Sequence, residues 1–75
     1  GDKDKAEEML KKALAINPDG IDPNYFYGDY LLKEKKTDEA KRYLTKALKA
    51  QPRPGREIAD SGRRHDIERD LASIP

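Results

Sequence analysis

The chain has 75 residues, of which 41% are charged and 35% are hydrophobic, and its 16 basic and 15 acidic residues leave a formal net charge of +1. This length predicts one small domain or part of a larger one, with no apolar run long enough to enter a membrane as a spanning helix. A nucleic-acid partner is not expected without a clustered positive excess, and the absence of cysteine excludes disulfides, thiolate nucleophiles and thiolate metal ligands.

The first predicted helix, residues 4–16, belongs to a segment that occurs twice. AEEMLKKALAINP at residues 6–18 returns as AKRYLTKALKAQP at residues 40–52, with identical residues separated by 34 positions. In both copies the apolar residues fall at i, i+4, i+7 and i+8, which places them in one stripe along an α-helix. A fixed period of this length is typical of a helical solenoid.

The second and third helices are predicted at residues 23–35 and 38–50. Asp22 is the expected N-cap of the second helix and Thr37 that of the third. The outer faces predict three i,i+4 ion pairs, worth ~0.2–0.5 kcal/mol each: Glu7 with Lys11, Glu8 with Lys12, and Asp38 with Arg42.

Aromatic residues are concentrated in the second helix, around Gly28. We expect Phe26, Tyr27, Tyr30 and Leu31 to pack between helices there. For Tyr25 the sequence leaves two alternatives open, a position in the core and a position in a binding groove.

The last predicted helix follows a break at PRPG, residues 52–55. Ile67, Leu71 and Ile74 form an i, i+4, i+7 stripe, which predicts a helix ending near Ser73. Its start is left open, because Gly62 weakens a helix by ~1 kcal/mol relative to Ala. We expect this helix to close the fold as a cap, held by ion pairs between its arginines and carboxylates, with anion binding as the alternative role of those arginines.

The period of 34, which also relates Gly28 to Gly62, makes the chain resemble the tetratricopeptide repeat family. YFYGDYLL at residues 25–32 looks like the first helix of a repeat, and DEAKRYLTKALKAQP at residues 38–52 looks like the second. RPGREIADSGRRHDIERDL, residues 53–71, is similar to the C-terminal ends of some small bacterial tetratricopeptide proteins.

The resemblance implies an all-α fold, a solenoid of antiparallel helix pairs that forms a tetratricopeptide-like superhelix with a C-terminal capping helix. Residues 1–20 would be the second helix of an incomplete repeat, residues 21–54 a complete helix pair, and residues 55–75 the cap. The chain departs from the family pattern at Asn24, where a large aromatic residue is common, and at Tyr30, where a small one is. Lys35 and Thr37 stand where Gly and an aromatic residue usually mark the turn.

In this family the first helices of successive repeats line a concave surface, which implies a non-enzymatic scaffold that binds a peptide or protein partner. The alternative is a purely structural terminal segment of a longer solenoid, with binding elsewhere. The implied partner-binding residues are Asp22, Tyr25, Asp29, Lys33, Arg56 and Arg63. Some members of the family bind the C-terminal carboxylate of chaperones through residues at fixed positions. Of those positions only the one at Arg63 has a fitting residue here, and we therefore do not expect this specialised activity.

Catalysis is not expected, although Ser61 and His65 are separated by one helical turn with Asp60 and Asp66 nearby. Nothing in the sequence supplies an oxyanion site, and one His with scattered carboxylates lacks the clustering that zinc requires. The sequence therefore predicts neither an enzyme nor a cofactor or metal site. A cytoplasmic and a bacterial periplasmic location are both compatible with it.

The first helix carries an apolar side without an evident partner. The chain begins with Gly and has its single Met at position 9, inside the helical pattern, so we expect a fragment that lacks the first helix of its first repeat. An apolar stripe exposed in this way tends to recruit another surface. The sequence predicts that the chain forms a homo-oligomer through the first helix or borrows a helix from a neighbouring chain.

Overall fold

In the computed structural model, which describes residues 2–75, the chain forms four helices and no strand. They are α1 (Asp2–Ile16), α2 (Ile21–Lys33), α3 (Thr37–Leu48) and α4 (Glu57–Ala72). Consecutive helices pack against each other, and α4 also contacts α2. The predicted all-α fold is confirmed, and α2 occupies its centre.

The hydrophobic core lies between α2 and α3 and is closed by α4. Leu31, Leu44 and Ile67, one from each of these helices, are almost completely removed from solvent. Full burial of such a side chain contributes ~1.5–3 kcal/mol. Leu10 and Leu14 of α1 are only partly buried and pack against the edge of this core.

Gly28 allows α2 and α3 to approach closely. A Cβ atom at this position would lie 2.8 Å from Cγ and 3.1 Å from the backbone nitrogen of Leu44. By contrast, a Cβ atom built at Gly62, the position 34 residues later, has no neighbour within 4 Å apart from the adjoining residues and backbone of its own helix. The two glycines are separated by the period of 34 residues, but only Gly28 lies against another helix.

The prediction that aromatic side chains around Gly28 pack between helices is partly right. Tyr27 is buried, and its ring meets that of Tyr43 at 4.8 Å in an edge-to-face arrangement. Tyr30 stacks on Tyr27 at 6.2 Å between ring centres. The prediction is wrong for Phe26, which is 44% exposed because it lies on the side of α2 that α3 does not cover.

Both predicted N-caps are wrong. α2 begins at Ile21 with Gly20 as its N-cap, so Asp22 lies in the first turn, where its carboxylate pairs with arginines instead of capping the helix. α3 begins at Thr37 itself, with Lys36 as its N-cap. The amide of Lys36 donates to the carbonyl of Leu31 at 2.9 Å, so Lys36 still belongs to the turn that ends α2.

The turn between α2 and α3 ends α2 two residues earlier than predicted. Lys35 adopts a left-handed conformation with φ of 63°, and its amide donates to the carbonyl of Leu32 at 3.0 Å. This is the arrangement in which Gly is usually found after a helix, since a side chain is strained there. The family's preference for Gly at this place thus has a direct physical reason, and Lys35 carries the strain.

Asn24 is the buried polar residue that fixes the loop between α1 and α2. Its side chain is 0% exposed, and its Nδ2 donates to the carbonyl oxygens of Pro18 at 3.0 Å and Gly20 at 2.8 Å. An aromatic residue at this place, as is common in the family, would leave both carbonyls without these donors. The loop and the start of α2 are therefore tied to one side chain.

α4 begins at Glu57 and continues through Gly62 without a break. The predicted stripe is confirmed, since Ile67 is buried and Leu71 and Ile74 pack against the core. Asp60 anchors the first turns to the preceding loop, because its carboxylate accepts hydrogen bonds from the backbone amide of Arg53 at 2.8 Å and from its Nε at 2.8 Å.

The ion pairs predicted along the outer faces are present in α1 and absent in α3. The pair distances are 3.8 Å for Glu7 with Lys11 and 3.7 Å for Glu8 with Lys12. Within residues 2–75, neither Asp38 nor Arg42 has an ion-pair partner, so that prediction is wrong. Both side chains are exposed, where such a pair gains little over solvation.

Candidate functional site

α2 and α4 share a face on which several of the predicted site residues meet. The residues of α2 follow a spacing of i, i+4, i+7 and i+11, so they form one line along the helix. We name this face the α2–α4 surface and define it by Asp22, Phe26, Asp29 and Lys33 of α2 and by Arg63, Asp66 and Asp70 of α4.

Arg63 joins the two helices. Its Nε donates to Oδ1 of Asp22 at 3.0 Å, and one terminal nitrogen donates to Oδ2 of Asp66 at 3.1 Å. The guanidinium carbon lies 4.7 Å from the ring centre of Phe26 and 4.9 Å from that of Tyr25. The plane of the guanidinium thus covers two aromatic rings while its edge binds two carboxylates, a combination that a Lys side chain does not reproduce.

Asp22 receives a second cation on its other oxygen. A terminal nitrogen of Arg53 lies 3.5 Å from Oδ2 of Asp22, and the same arginine is paired with Asp60. The hydrogen bonds from Arg53 hold the pKa of Asp60 below its usual value. The start of α2, the loop before α4 and α4 itself are linked through this group of charges.

Phe26 is the functional candidate that our sequence analysis missed, because the aromatic residues were assigned together to helix packing. Its ring centre lies 5.4 Å from that of Tyr25, and Arg63 covers part of it. Phe26 lies four residues after Asp22 and three before Asp29, both named as candidates. The same helical periodicity could therefore have identified it.

Tyr25 takes the first of the two alternatives that the sequence left open, the core. Only 8% of it is exposed, and burial together with the nearby carboxylate of Asp29 raises the pKa of its hydroxyl. Tyr25 packs against the ring of Phe26 and the guanidinium of Arg63, and it offers little exposed surface of its own to a partner.

Asp29 and Asp70 form a carboxyl pair at the far end of the α2–α4 surface. Burial and the hydrogen bond with Asp29 raise the pKa of Asp70 to about 6. Burial acts in the same direction on Asp29, but hydrogen bonds from Asp70 and Lys33 outweigh it and hold the pKa of Asp29 below its usual value. Oδ2 of Asp70 is buried without a donor in reach, so a proton on Asp70, donated to Asp29, relieves both groups.

Lys33 and Arg56 differ in how they relate to the other candidates. Nζ of Lys33 lies 2.9 Å from Oδ2 of Asp29, and this hydrogen bond raises the pKa of Lys33. Arg56 is exposed at the N-cap of α4, and within the described chain its side chain makes no ion pair. The structure thus brings together five of the six predicted residues and leaves Arg56 apart.

The residues considered for catalysis do not form a site within residues 2–75. Nδ1 of His65 lies 3.8 Å from Oε1 of Glu68, both exposed, and the hydroxyl of Ser61 makes no hydrogen bond there. The described residues contain no group of three or more side chains able to hold a metal ion. None of the four helices combines the length and apolar character needed to cross a bilayer.

Residues 1–60 match the family model described as Tetratricopeptide repeat. The match covers four fifths of the chain and includes α1, α2, α3 and the first turn of α4. Arg63, Asp66 and Asp70 lie beyond it. Searches of curated proteins and of solved structures returned no match.

Proposed function

The chain belongs to the tetratricopeptide repeat family, whose repeats form non-enzymatic scaffolds for protein–protein interaction, and we propose that it binds a peptide or protein partner on the α2–α4 surface. The observation that carries this proposal is the half-exposed ring of Phe26 beside the fixed guanidinium of Arg63. We propose no catalytic, cofactor or metal role for any residue.

The α2–α4 surface is preorganised for such a role. Arg63 is held by two carboxylates and two rings before any partner arrives, so binding does not have to order it. Because these charges already have partners, a carboxylate of the ligand would have to displace Asp22 or Asp66. The favoured anchor is therefore an apolar or aromatic side chain that covers Phe26, the kind of contact that dominates many interfaces.

The arrangement of the helices supports the assignment of three parts to the chain. We propose that residues 1–20 form the second helix of a repeat, residues 21–54 a complete helix pair, and residues 55–75 a closing cap. The support is the alignment of residues 6–18 with residues 40–52 and the close packing of α2 on α3 at Gly28.

The proposed function is tested by selecting peptides from a displayed random library and measuring their affinity for two variants by fluorescence anisotropy. Phe26→Ala removes the proposed anchor, and we expect its dissociation constant to rise about tenfold or more. Ile58→Ala is the matched control, because Ile58 is 91% exposed on α4 and is not one of the residues that define the α2–α4 surface. Equal affinity of the wild type and Phe26→Ala for every selected peptide would refute the proposal.

A second candidate function is a purely structural segment that closes a longer solenoid. It is supported by the internal pairing of Arg63, Asp22 and Asp66, which fixes α4 on α2 without a ligand. This function predicts that Arg63→Ala lowers the free energy of unfolding. It also predicts that no peptide selected from the displayed library binds Phe26→Ala more weakly than it binds the wild type. Selective loss of peptide binding in Phe26→Ala would contradict it.

We also propose reversible self-association through α1. No residue of this helix is fully buried, and Met9 is 70% and Ile16 85% exposed. We expect sedimentation equilibrium to show dimers that Met9→Glu abolishes and that Ile58→Glu, at an even more exposed site on α4, leaves intact. A wild type that stays monomeric at high micromolar concentration would contradict this.

A further inference from the structure

A second concave region lies on the side of α3 opposite its buried residues. We name it the outer groove; it is open to solvent and has a volume of about 1220 Å³. One wall is the loop between α1 and α2 with the start of α2, and the other is the loop that leads from α3 to α4. The α2–α4 surface and the outer groove meet at Asp22.

The α3 side of the outer groove is cationic. Lys41, Arg42, Lys46 and Lys49 all line it, and all are exposed. Nζ of Lys46 lies 3.4 Å from Oδ1 of Asp19 in the opposite loop. The other three cations have no ion-pair partner within residues 2–75, so their charges are available to a ligand.

Part of the rest of the lining is apolar and conformationally restricted, beside polar residues such as Thr45 and Gln51. Ile21 and Ala50 contribute aliphatic surface, and Pro23, Pro52 and Pro54 add rings with a fixed φ angle. A rigid apolar surface beside free cations is suited to a chain that alternates acidic and apolar side chains.

We propose that the outer groove binds an acidic segment of a partner protein, whose carboxylates meet Lys41, Arg42 and Lys49 while an apolar side chain contacts the prolines. A nucleic acid is a poorer occupant, because these three cations beside the carboxylate of Asp38 fall short of the clustered positive charge that phosphate-driven binding requires. A second copy of this chain is also a poorer occupant. Its exposed first helix alternates acidic and basic residues and so offers no complementary charge.

The proposal is tested with a fluorescent synthetic peptide of Glu-Asp-Leu repeats, a neutral peptide of Gln-Asn-Leu repeats and a single-stranded oligothymidylate of similar length. We expect the wild type to bind the acidic peptide more tightly than the other two probes. The double variant Lys41→Glu, Lys49→Glu should bind the acidic peptide about tenfold or more weakly.

Two controls separate the groove from general charge and from the α2–α4 surface. The double variant Lys5→Glu, Lys36→Glu makes the same change in formal charge outside the groove, and should bind within about twofold of the wild type. Phe26→Ala should bind the acidic peptide as tightly as the wild type does. Binding in the outer groove is therefore tested separately from binding on the α2–α4 surface, and a failure of the proposed function would not change it. No binding of the acidic peptide, equal weakening in both double variants, or tighter binding of the oligothymidylate would each overturn the proposal.

Discussion

Asp70→Asn should stabilise the protein at neutral pH and remove most of its pH dependence between about pH 4 and pH 7. In the wild type the pKa of Asp70 is raised from its ordinary value of 3.8 to about 6 by burial and by Asp29. The folded chain therefore keeps a proton that the unfolded chain releases. The free energy of unfolding must fall as the pH rises through this window, because the native state binds more protons there.

The size of the effect follows from the two pKa values. At ~1.36 kcal/mol for each pKa unit, a rise from 3.8 to about 6 corresponds to at most about 3 kcal/mol. Asp70 is only partly buried, and solvent screens part of the interaction, so we expect ~1–2 kcal/mol. This is a large fraction of the ~3–5 kcal/mol that a core of this size supplies.

Urea unfolding followed by circular dichroism measures this prediction at about pH 4.5 and about pH 7.5. The amide of Asn imitates the protonated carboxyl group, since it donates to Asp29 without a charge. Asp70→Asn should therefore exceed the wild type by ~1–2 kcal/mol at the higher pH and by a smaller amount at the lower, where the folded wild type still holds the proton. Asp2→Asn, which removes the same charge at the exposed start of α1, is the control. An equal pH dependence in wild type and Asp70→Asn would refute the reasoning.

Four further substitutions probe the fold, each measured by urea unfolding. Gly28→Ala should lower the free energy of unfolding by ~1–3 kcal/mol, because its Cβ meets the backbone of Leu44. Gly62→Ala, in open space, should raise the free energy of unfolding by ~0.5–1 kcal/mol. Equal effects of the two substitutions would contradict the close approach of α2 and α3. Asn24→Ala should cost ~2–3 kcal/mol through two lost hydrogen bonds from a buried side chain to loop carbonyls, and a loss below ~0.5 kcal/mol would count against that role. Lys35→Gly should stabilise by ~0.5–1 kcal/mol by relieving the left-handed residue, and destabilisation would contradict the strain.

Features that depend on helical periodicity were predictable from the sequence. The repeat of 34 residues placed α1 and α3, and the stripe of Ile67, Leu71 and Ile74 identified the buried side of α4. Periodicity also placed Asp22, Asp29 and Lys33 in one line. In each case the spacing of residues along a single helix determines which side chains share a face. The positions of the other helices were therefore not needed for the prediction.

Features that depend on which helix covers which face were not predictable in the same way. Phe26 and Tyr27 are adjacent and both aromatic, yet only Tyr27 meets α3 and is buried. The capping prediction for Asp22 failed because Arg63, 41 residues away, attracts its carboxylate. The outer groove arises from two loops and one helix face that are distant in sequence, and the sequence predicted only an ion pair there, between Asp38 and Arg42.

The binding of a partner on the α2–α4 surface is tested most directly by nuclear magnetic resonance. The isotope-labelled protein is titrated with a peptide from the displayed library, and the side-chain Nε–H of Arg63 and the backbone amides are followed. We expect the largest shift changes at Arg63 and around Phe26, with those of Phe26→Ala much reduced. Shift changes confined to α1 or to the outer groove, with Arg63 unaffected, would contradict the proposed site.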